Sequence, residues 1–448
     1  MARTRAVAIC AALLALSAAV ALPKAARAQT TLTERLRVQG IYSTQTGSVP
    51  PQDVAAQVVP ELSLLDVSKR SQLRATYTFA ATAHSTLPAD ISNRLVLTSA
   101  FDVSKRTSLL FSAEAGHTTV TNSLVLRSPA DVPTGQVPLA IGQLFTSRVG
   151  EGVSWEASKV LRFTQLADAS YVSTINAPAT SSVEAYFANG VLSLDRAWAT
   201  DAVGIDLRGG FVRSKIALLP PSRLIPLALT PHWRHDITRA LTTLFVAGAV
   251  VVVSPDAGTK SLAGPYGQAT VSYFVDDSTF DLTGSIGTTA NALTAQLLYA
   301  DQATFRTTTA LSVEHHIVGS AGIGYTHGSV VELRRAVVPQ PDFDAFIADA
   351  GISWSPKPII DLFARYQIVD QITASQGAVA SASVLRNAVI VGIQLSARPD
   401  PIRVPTRFPQ RVDRADTTGG STPSSTTPSG SSPGSSAPSS TSSGDAAP

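Results

Sequence analysis

The sequence predicts an all-β fold: a transmembrane antiparallel β-barrel of about 18 strands, followed by a disordered C-terminal tail. Three observations predict it. Apolar and polar residues alternate over stretches of ~10 residues, short polar breaks recur at intervals of about 40 residues, and the chain opens with an export leader. The composition agrees: of 448 residues, 44% are hydrophobic and only 15% are charged, as in a chain that meets something apolar over much of its surface. The apolar fraction excludes disorder throughout, and 29 glycines cannot supply every third position of a collagen. A net charge of +3 gives no reason to expect nucleic acid as a partner.

The leader comes first. Arg3 and Arg5 form a basic start, Ala6 to Leu22 is an apolar run of small residues, and Ala26-Arg27-Ala28 has the small-x-small form of a cleavage site. Residues 1–28 are therefore expected to be removed as a signal peptide, leaving a mature chain that starts at Gln29. The alternative is a retained anchor. The one cysteine, Cys10, lies inside this run, too early for a lipoprotein acylation site, so no disulfide scaffold or Cys-ligated zinc is expected. No later stretch supplies the ~20 unbroken apolar residues of a membrane helix; Leu244–Val253 is the nearest and is too short.

The strands follow. Leu73, Ala75, Tyr77, Phe79 and Ala81 alternate with Arg74, Thr76 and Thr78, and Leu109, Phe111, Ala113 and Ala115 with Ser108, Ser112 and Glu114. Val203, Ile205, Leu207 and Phe211 alternate with Gly204, Asp206 and Arg208; the same holds around Ile360–Gln367 and Leu385–Ser396. A period of 2 over ~10 residues describes a long strand with one apolar and one polar face, long enough to cross a bilayer.

Asp66-Val67-Ser68-Lys69-Arg70 recurs word for word at Asp102-Val103-Ser104-Lys105-Arg106, each copy lying between two alternating segments, and so reads as a hairpin turn. Comparable breaks fall near Glu156–Lys159, Asp195–Asp201, His235–Arg239, Asp276–Ser278, Glu314–His316 and Ser355–Pro358. Eight turns join sixteen strands; an opening strand near Thr31–Tyr42 and a closing strand near Leu385–Ser396 make about eighteen. The connections between the turns are longer and rich in Gly, Pro, Ser and Thr. Short turns on one side and long loops on the other are the pattern of outer-membrane barrels, and the count places both termini on the short-turn, periplasmic side. A β-propeller also has a period of ~40, but its blade packs four short strands into that span, where this chain has two long ones.

Trp155, Trp198, Trp233 and Trp354 all lie in or beside a tight turn, and are expected at the membrane–water interface. Tyr42, Tyr171, Phe211 and Tyr325 are candidates for the opposite girdle. Strand parity assigns Arg35, Arg37, Arg74, Arg94, Glu114, Arg162, Asp168, Asp206, Arg208, Asp281, Arg306, Asp361 and Arg365 to the lumen. An arginine facing lipid at mid-membrane would cost ~2–4 kcal/mol. The rest of the inward face reads as mostly Ser, Thr, Gly and Gln, with Phe274 and Phe363 as its few aromatics. Two consequences stay open: a hydrated passage with a mild anion preference, or charges that pair and only hold the wall in shape.

The longest connection, His117–Ser147, carries Pro129, Pro133, Pro138 and the apolar stretch Val137–Phe145; it is expected to narrow the lumen, dock on the wall or bind a partner. Enzyme signals are poor. HExxH and GxSxG are absent, His315-His316 and His232/His235 read as solvated turn residues, and neither catalytic residues, metal nor cofactor is expected. From Thr417 to Pro448 the chain is almost all Ser, Thr, Pro, Gly and Ala, preceded by Arg398, Arg403, Arg407, Arg411 and Arg414. Residues 398–448 are read as a disordered periplasmic tail, either a solvated linker or a tether to an anionic partner such as a cell-wall polymer.

Together, leader, strands, uneven connections and turn-side tryptophans over Thr31–Ser396 resemble the bacterial outer-membrane β-barrel class. The long third loop resembles the constriction loop of general porins. Gly392 fits the closing strand of that class, but Leu395 and Ala397 stand where it has aromatics. The resemblance implies residence in outer-membrane lipid and a channel for polar solutes. Eighteen strands also resemble sugar porins, whose aromatic slide is missing from the inward list, and polysaccharide-secretion barrels that work with periplasmic export proteins. A closed structural or adhesive barrel is the third reading.

Overall fold

Each of the alternating segments forms a strand because its two faces meet different surroundings. The computed structural model describes residues 29–46, 52–119, 143–175, 182–216, 221–238, 240–256, 261–291, 296–331, 342–373 and 382–397. They form eighteen strands: β1 (Gln29–Gln45), β2 (Gln52–Val67), β3 (Ser71–His84), β4 (Asp90–Asp102), β5 (Thr107–Thr119), β6 (Gln143–Glu156), β7 (Leu161–Ile175), β8 (Val183–Ala197) and β9 (Asp201–Ile216). The second half continues with β10 (Ser222–Asp236), β11 (Leu241–Val253), β12 (Leu262–Val275), β13 (Ser278–Asn291), β14 (Gln296–Ser312), β15 (Ile317–Val330), β16 (Phe343–Lys357), β17 (Ile360–Thr373) and β18 (Ala382–Ser396).

Every strand pairs antiparallel with its neighbours in sequence, and β1 pairs with both β2 and β18. The sheet is a single closed barrel of 18 strands, with no edge left to pair outside itself. A propeller of separate blades is excluded. Strands of 13–17 residues exceed the ~9–11 needed to cross a bilayer.

Alternation sets the faces. In β1, Leu32, Leu36, Val38 and Tyr42 lie on the outside, each more than a third exposed, while Thr33, Gln39 and Ile41 between them are buried. Strand β9 repeats this: Val203, Ile205 and Leu207 are exposed and Asp206 is buried. The outside is thus an apolar belt and the inside carries the polar set. Among the described residues no helix is long and apolar enough to cross a membrane.

The eight short connections fall where the sequence puts them, at 68–70, 103–106, 157–160, 198–200, 237–240, 276–277, 313–316 and 358–359. Four share one device. The hydroxyl oxygen of Ser68 accepts hydrogen bonds from the backbone N–H groups of Arg70 and Ser71, at 3.4 and 3.0 Å. Ser104, Ser158 and Thr238 act in the same way within their own turns. A hydroxyl bonded to the backbone two or three residues on holds a tight turn in place, and this is what the repeated Ser-Lys-Arg segment encodes. The start of β1 and the end of β18 lie at this same end of the barrel, since Gln29 is opposite Val67 and Arg35 opposite Ser396.

Candidate functional site: the inner wall of the barrel

The thirteen charged residues that parity assigns to the lumen all lie on the inward face, and most meet a partner on an adjacent strand. Arg35 reaches Glu61 at 3.1 Å across β1–β2, Arg94 reaches Glu114 at 2.7 Å across β4–β5, and Arg148 reaches Asp168 at 3.4 Å across β6–β7. Arg365 pairs with Asp349 at 3.0 Å across β16–β17, and Asp281 stands directly opposite Arg306 on β13–β14. Arg162 binds Glu156 at 3.1 Å at the short-turn mouth, where both are well exposed. Arg37 donates to Gln394 at 3.0 Å and lies 5.8 Å over the Phe363 ring; Gln394 in turn donates to Asp361 at 3.3 Å. Arg74 faces inward from the first turn-side half of β3.

Glu61, Arg148 and Asp349 complete these pairs and are absent from the sequence-derived set. Register supplies the signal that alternation lacks: Arg35 is directly opposite Glu61, and Arg148 directly opposite Glu114. The inner wall therefore carries alternating charge held in place between neighbouring strands, a pattern worth more than isolated surface pairs because the groups are partly buried and their geometry is fixed.

The histidines need a correction. His232 is not a solvated turn residue. It lies inside β10, its side chain 1% exposed, with Nε2 2.6 Å from Asp195 Oδ1 and Nδ1 3.3 Å from Asp206 Oδ1. Ser193 donates to Asp206 at 2.6 Å, Arg208 donates to the other Asp206 oxygen at 3.0 Å, and Arg208 also reaches the Tyr266 hydroxyl at 3.0 Å. Asp195, Ser193, Asp206, Arg208 and His232 come from three adjacent strands, β8 to β10. Gly204 makes the cluster possible. It stands directly opposite Asp195 on one side and His232 on the other, so the two side chains meet over a position with no Cβ. A Cβ there would strike the His232 ring nitrogen and would lie 2.5 Å from Leu194 O and 2.6 Å from Asp195 Oδ1. His235 does sit at the turn, half-exposed, 2.8 Å from Asp201.

A second correction concerns the inward face toward the long connections. Leu144, Val172, Phe187, Val212, Val246, Val250 and Val252 point inward and form one contiguous apolar cluster with Tyr266 and Leu297. Phe343, Ala345 and Leu298 form another. Val252 and Ala185 are 0% exposed, so this part of the wall is packed and does not face open water. The expectation of a mostly polar inward face fails in this sector; on β1–β3, β17 and β18 the half toward the long connections stays polar, with Gln39, Gln57, Thr82, Gln371 and Arg386 buried there. The sequence reading fails where both faces of a strand are apolar: Leu244–Val253 gives alternation no contrast to read. Phe187, Tyr266 and Phe343 are also inward aromatics beyond Phe274 and Phe363.

On the outside, Trp155, Trp233 and Trp354 project from the short-turn ends of β6, β10 and β16, and Trp198 lies in the β8–β9 turn; all four are 43–50% exposed. Tyr42, Tyr171, Phe211 and Tyr325 lie on the outer face toward the other end, joined by Tyr186, Phe346 and Tyr366. Residues 120–142 of the long connection, the leader and residues 398–448 lie outside the described residues. Among those described, no group of three or more His, Cys, Asp or Glu is placed to hold a metal ion.

No family model and no curated protein matches the chain. Among solved structures it is similar to OpdK of Pseudomonas aeruginosa with vanillate, at 12% identity over 82% of this chain and 98% of that one, with a TM-score of 0.43. It is also similar to OccK2 (OpdF) of the same organism in complex with glucuronate, at 10% identity, 83% and 99% coverage and a TM-score of 0.44. The FrpB iron transporter of Neisseria meningitidis matches at 7% identity, 82% and 81% coverage and a TM-score of 0.47. The architecture rests on the chain's own strand pairing, a closed antiparallel barrel of 18 strands.

Proposed function

We propose that the mature chain is a passive channel of a bacterial outer membrane, passing small polar solutes through the barrel. The observation that carries the reading is the two-sided wall: an apolar belt outside and, inside, a belt of fixed charge built from Arg35–Glu61, Arg94–Glu114, Arg148–Asp168 and Arg365–Asp349. A closed barrel of this strand number has room for an aqueous lumen. Paired charges of both signs give a solute hydrogen-bonding partners along its path without a strong net field. The apolar patch on β6–β12 borders the path on the side of the long connections and makes it narrower and drier there. In this reading residues 1–28 are cleaved on export and residues 398–448 extend into the periplasm, available to a cell-wall polymer or export partner.

A second reading, a barrel whose lumen is closed, is favoured by the full burial of the inward Val252 and Ala185. Swelling of proteoliposomes in isotonic solutions of graded neutral and charged solutes separates the two. The channel reading expects swelling rates that fall with solute size. Correctly inserted barrels that admit none of the solutes would overturn it in favour of the closed one.

A further inference from the structure

The outer face of β8, β9 and β10 carries a group of cations at the end away from the short turns. Phe211, Arg213 and Lys215 occupy successive outward positions of β9, on the face that presents Val203, Ile205 and Leu207 to the membrane. Arg223 of β10 stands directly opposite Arg213, and Tyr186 of β8 stands opposite it on the other side. Like charges placed directly across an antiparallel pair repel one another. Arg213 and Lys215 make no hydrogen bond or ion pair among the described residues. Arg223 meets Asp256 only at 3.6 Å and is 57% exposed. The acid opposite Lys215, Glu184, accepts hydrogen bonds from the Tyr171 and Tyr186 hydroxyls, at 3.5 and 3.2 Å.

Beside these cations, on β6 to β8, is an aromatic ladder, Phe145, Tyr171 and Tyr186, with ring centroids 6.3 and 4.6 Å apart. Aromatic rings of this kind mark the headgroup level of a membrane. Arg213 and Arg223 are level with Tyr186 in the strand register and Lys215 lies two residues beyond it, all on the outer face. They are local to this sector: on β14, β16 and β17 the corresponding outer-face charges are Asp301, Asp344 and Asp370.

We propose that Arg213, Arg223 and Lys215 bind the phosphate of a membrane-lipid headgroup. A phosphate between the two arginines relieves their repulsion and accepts their N–H groups in bidentate fashion, as guanidinium forks do. The assignment of that lipid to the outer leaflet, and so to a phosphorylated glycolipid, rests on the outer-membrane reading above; the phosphate chemistry does not.

The test is native mass spectrometry of the refolded mature barrel in detergent micelles titrated with bis-phosphorylated lipid A, with enzymatically dephosphorylated lipid A and with inorganic phosphate. One retained lipid A per barrel is expected, with loss of binding on dephosphorylation. At about fivefold per cation, Arg213→Gln/Arg223→Gln weakens binding by about 25-fold, whereas Arg213→Lys/Arg223→Lys keeps most of it. Equal binding of the dephosphorylated lipid by the wild-type barrel overturns the proposal, as does full displacement by millimolar inorganic phosphate, which would mark a free-anion site. Unchanged affinity in a folded glutamine variant overturns it too; if that variant does not fold, the wild-type comparison decides. The assay needs no open lumen, so failure of the channel reading leaves it standing.

Discussion

Gly204→Ala isolates the buried cluster on the inner wall. The new methyl group would lie 2.5 Å from Leu194 O and 2.6 Å from Asp195 Oδ1, and would strike the His232 ring. The carbonyl belongs to a paired strand and cannot move without breaking the β8–β9 ladder, so the side chains must part. Overpacking of this kind costs ~1–3 kcal/mol, and leaving the buried Asp195–His232 hydrogen bond unmade costs about another 1–3 kcal/mol. The smaller unfolded-state entropy of alanine returns ~0.5–1 kcal/mol. A net loss of about 3 kcal/mol follows. The control is Gly40→Ala, where a Cβ meets nothing within 4 Å. Both variants are to be measured by urea unfolding of the barrel in lipid vesicles, followed by tryptophan fluorescence. Gly40→Ala should be neutral or slightly stabilising. If Gly204→Ala stays within about 0.5 kcal/mol of wild type, the cluster is not packed as described and the argument fails.

The wall and the turns carry three further predictions. A double-mutant cycle on Arg94→Gln and Glu114→Gln should give a coupling of about 1–2 kcal/mol in the same unfolding assay, because the 2.7 Å pair is largely buried; additive single effects would show that the pair is solvated. Glu114→Gln combined with Asp168→Asn removes two inward carboxylates and leaves their arginines, so the reversal potential in a salt gradient should shift toward anion selectivity, and no shift would place these residues off the conducting path. Ser68→Ala deletes the acceptor for two turn N–H groups and should cost about 1 kcal/mol, whereas Lys69→Ala in the same turn should cost almost nothing; equal effects would deny the hydroxyl its role.

The parts of the fold legible in the sequence are those whose contrast is local. Each strand such as β1 or β9 turns one row of side chains outward and one inward, so Leu36 and Val38 or Ile205 and Leu207 announce the outer face by themselves. The turns are legible for the same reason, since Ser68 and Ser104 bond to N–H groups two or three residues away. Strand count and closure follow from the turns, because an even number of hairpin-linked strands with both ends on one side leaves β1 and β18 to pair.

What is not legible depends on register. His232 looks like a turn residue because His235 and Asp236 follow it. Its burial comes from Asp195 and Asp206, on other strands, and from the missing Cβ of Gly204. Glu61 follows Pro60 in a stretch with weak alternation, and only the pairing with β1 brings it to Arg35. In Leu244–Val253 the inward Val246, Val250 and Val252 are as apolar as the outward Phe245 and Val251, so period alone cannot tell the inner wall from the outer face. Arg213 and Arg223 are also unremarkable in sequence and become a pair only across β9–β10.

Single-channel conductance of the refolded mature protein in a planar lipid bilayer tests the central claim most directly. The account predicts steady, reproducible steps whose ion selectivity moves when Glu114 and Asp168 are neutralised. Stable insertion with no steps under any applied voltage would contradict the channel, and a folded protein that never enters the bilayer would contradict the membrane barrel itself.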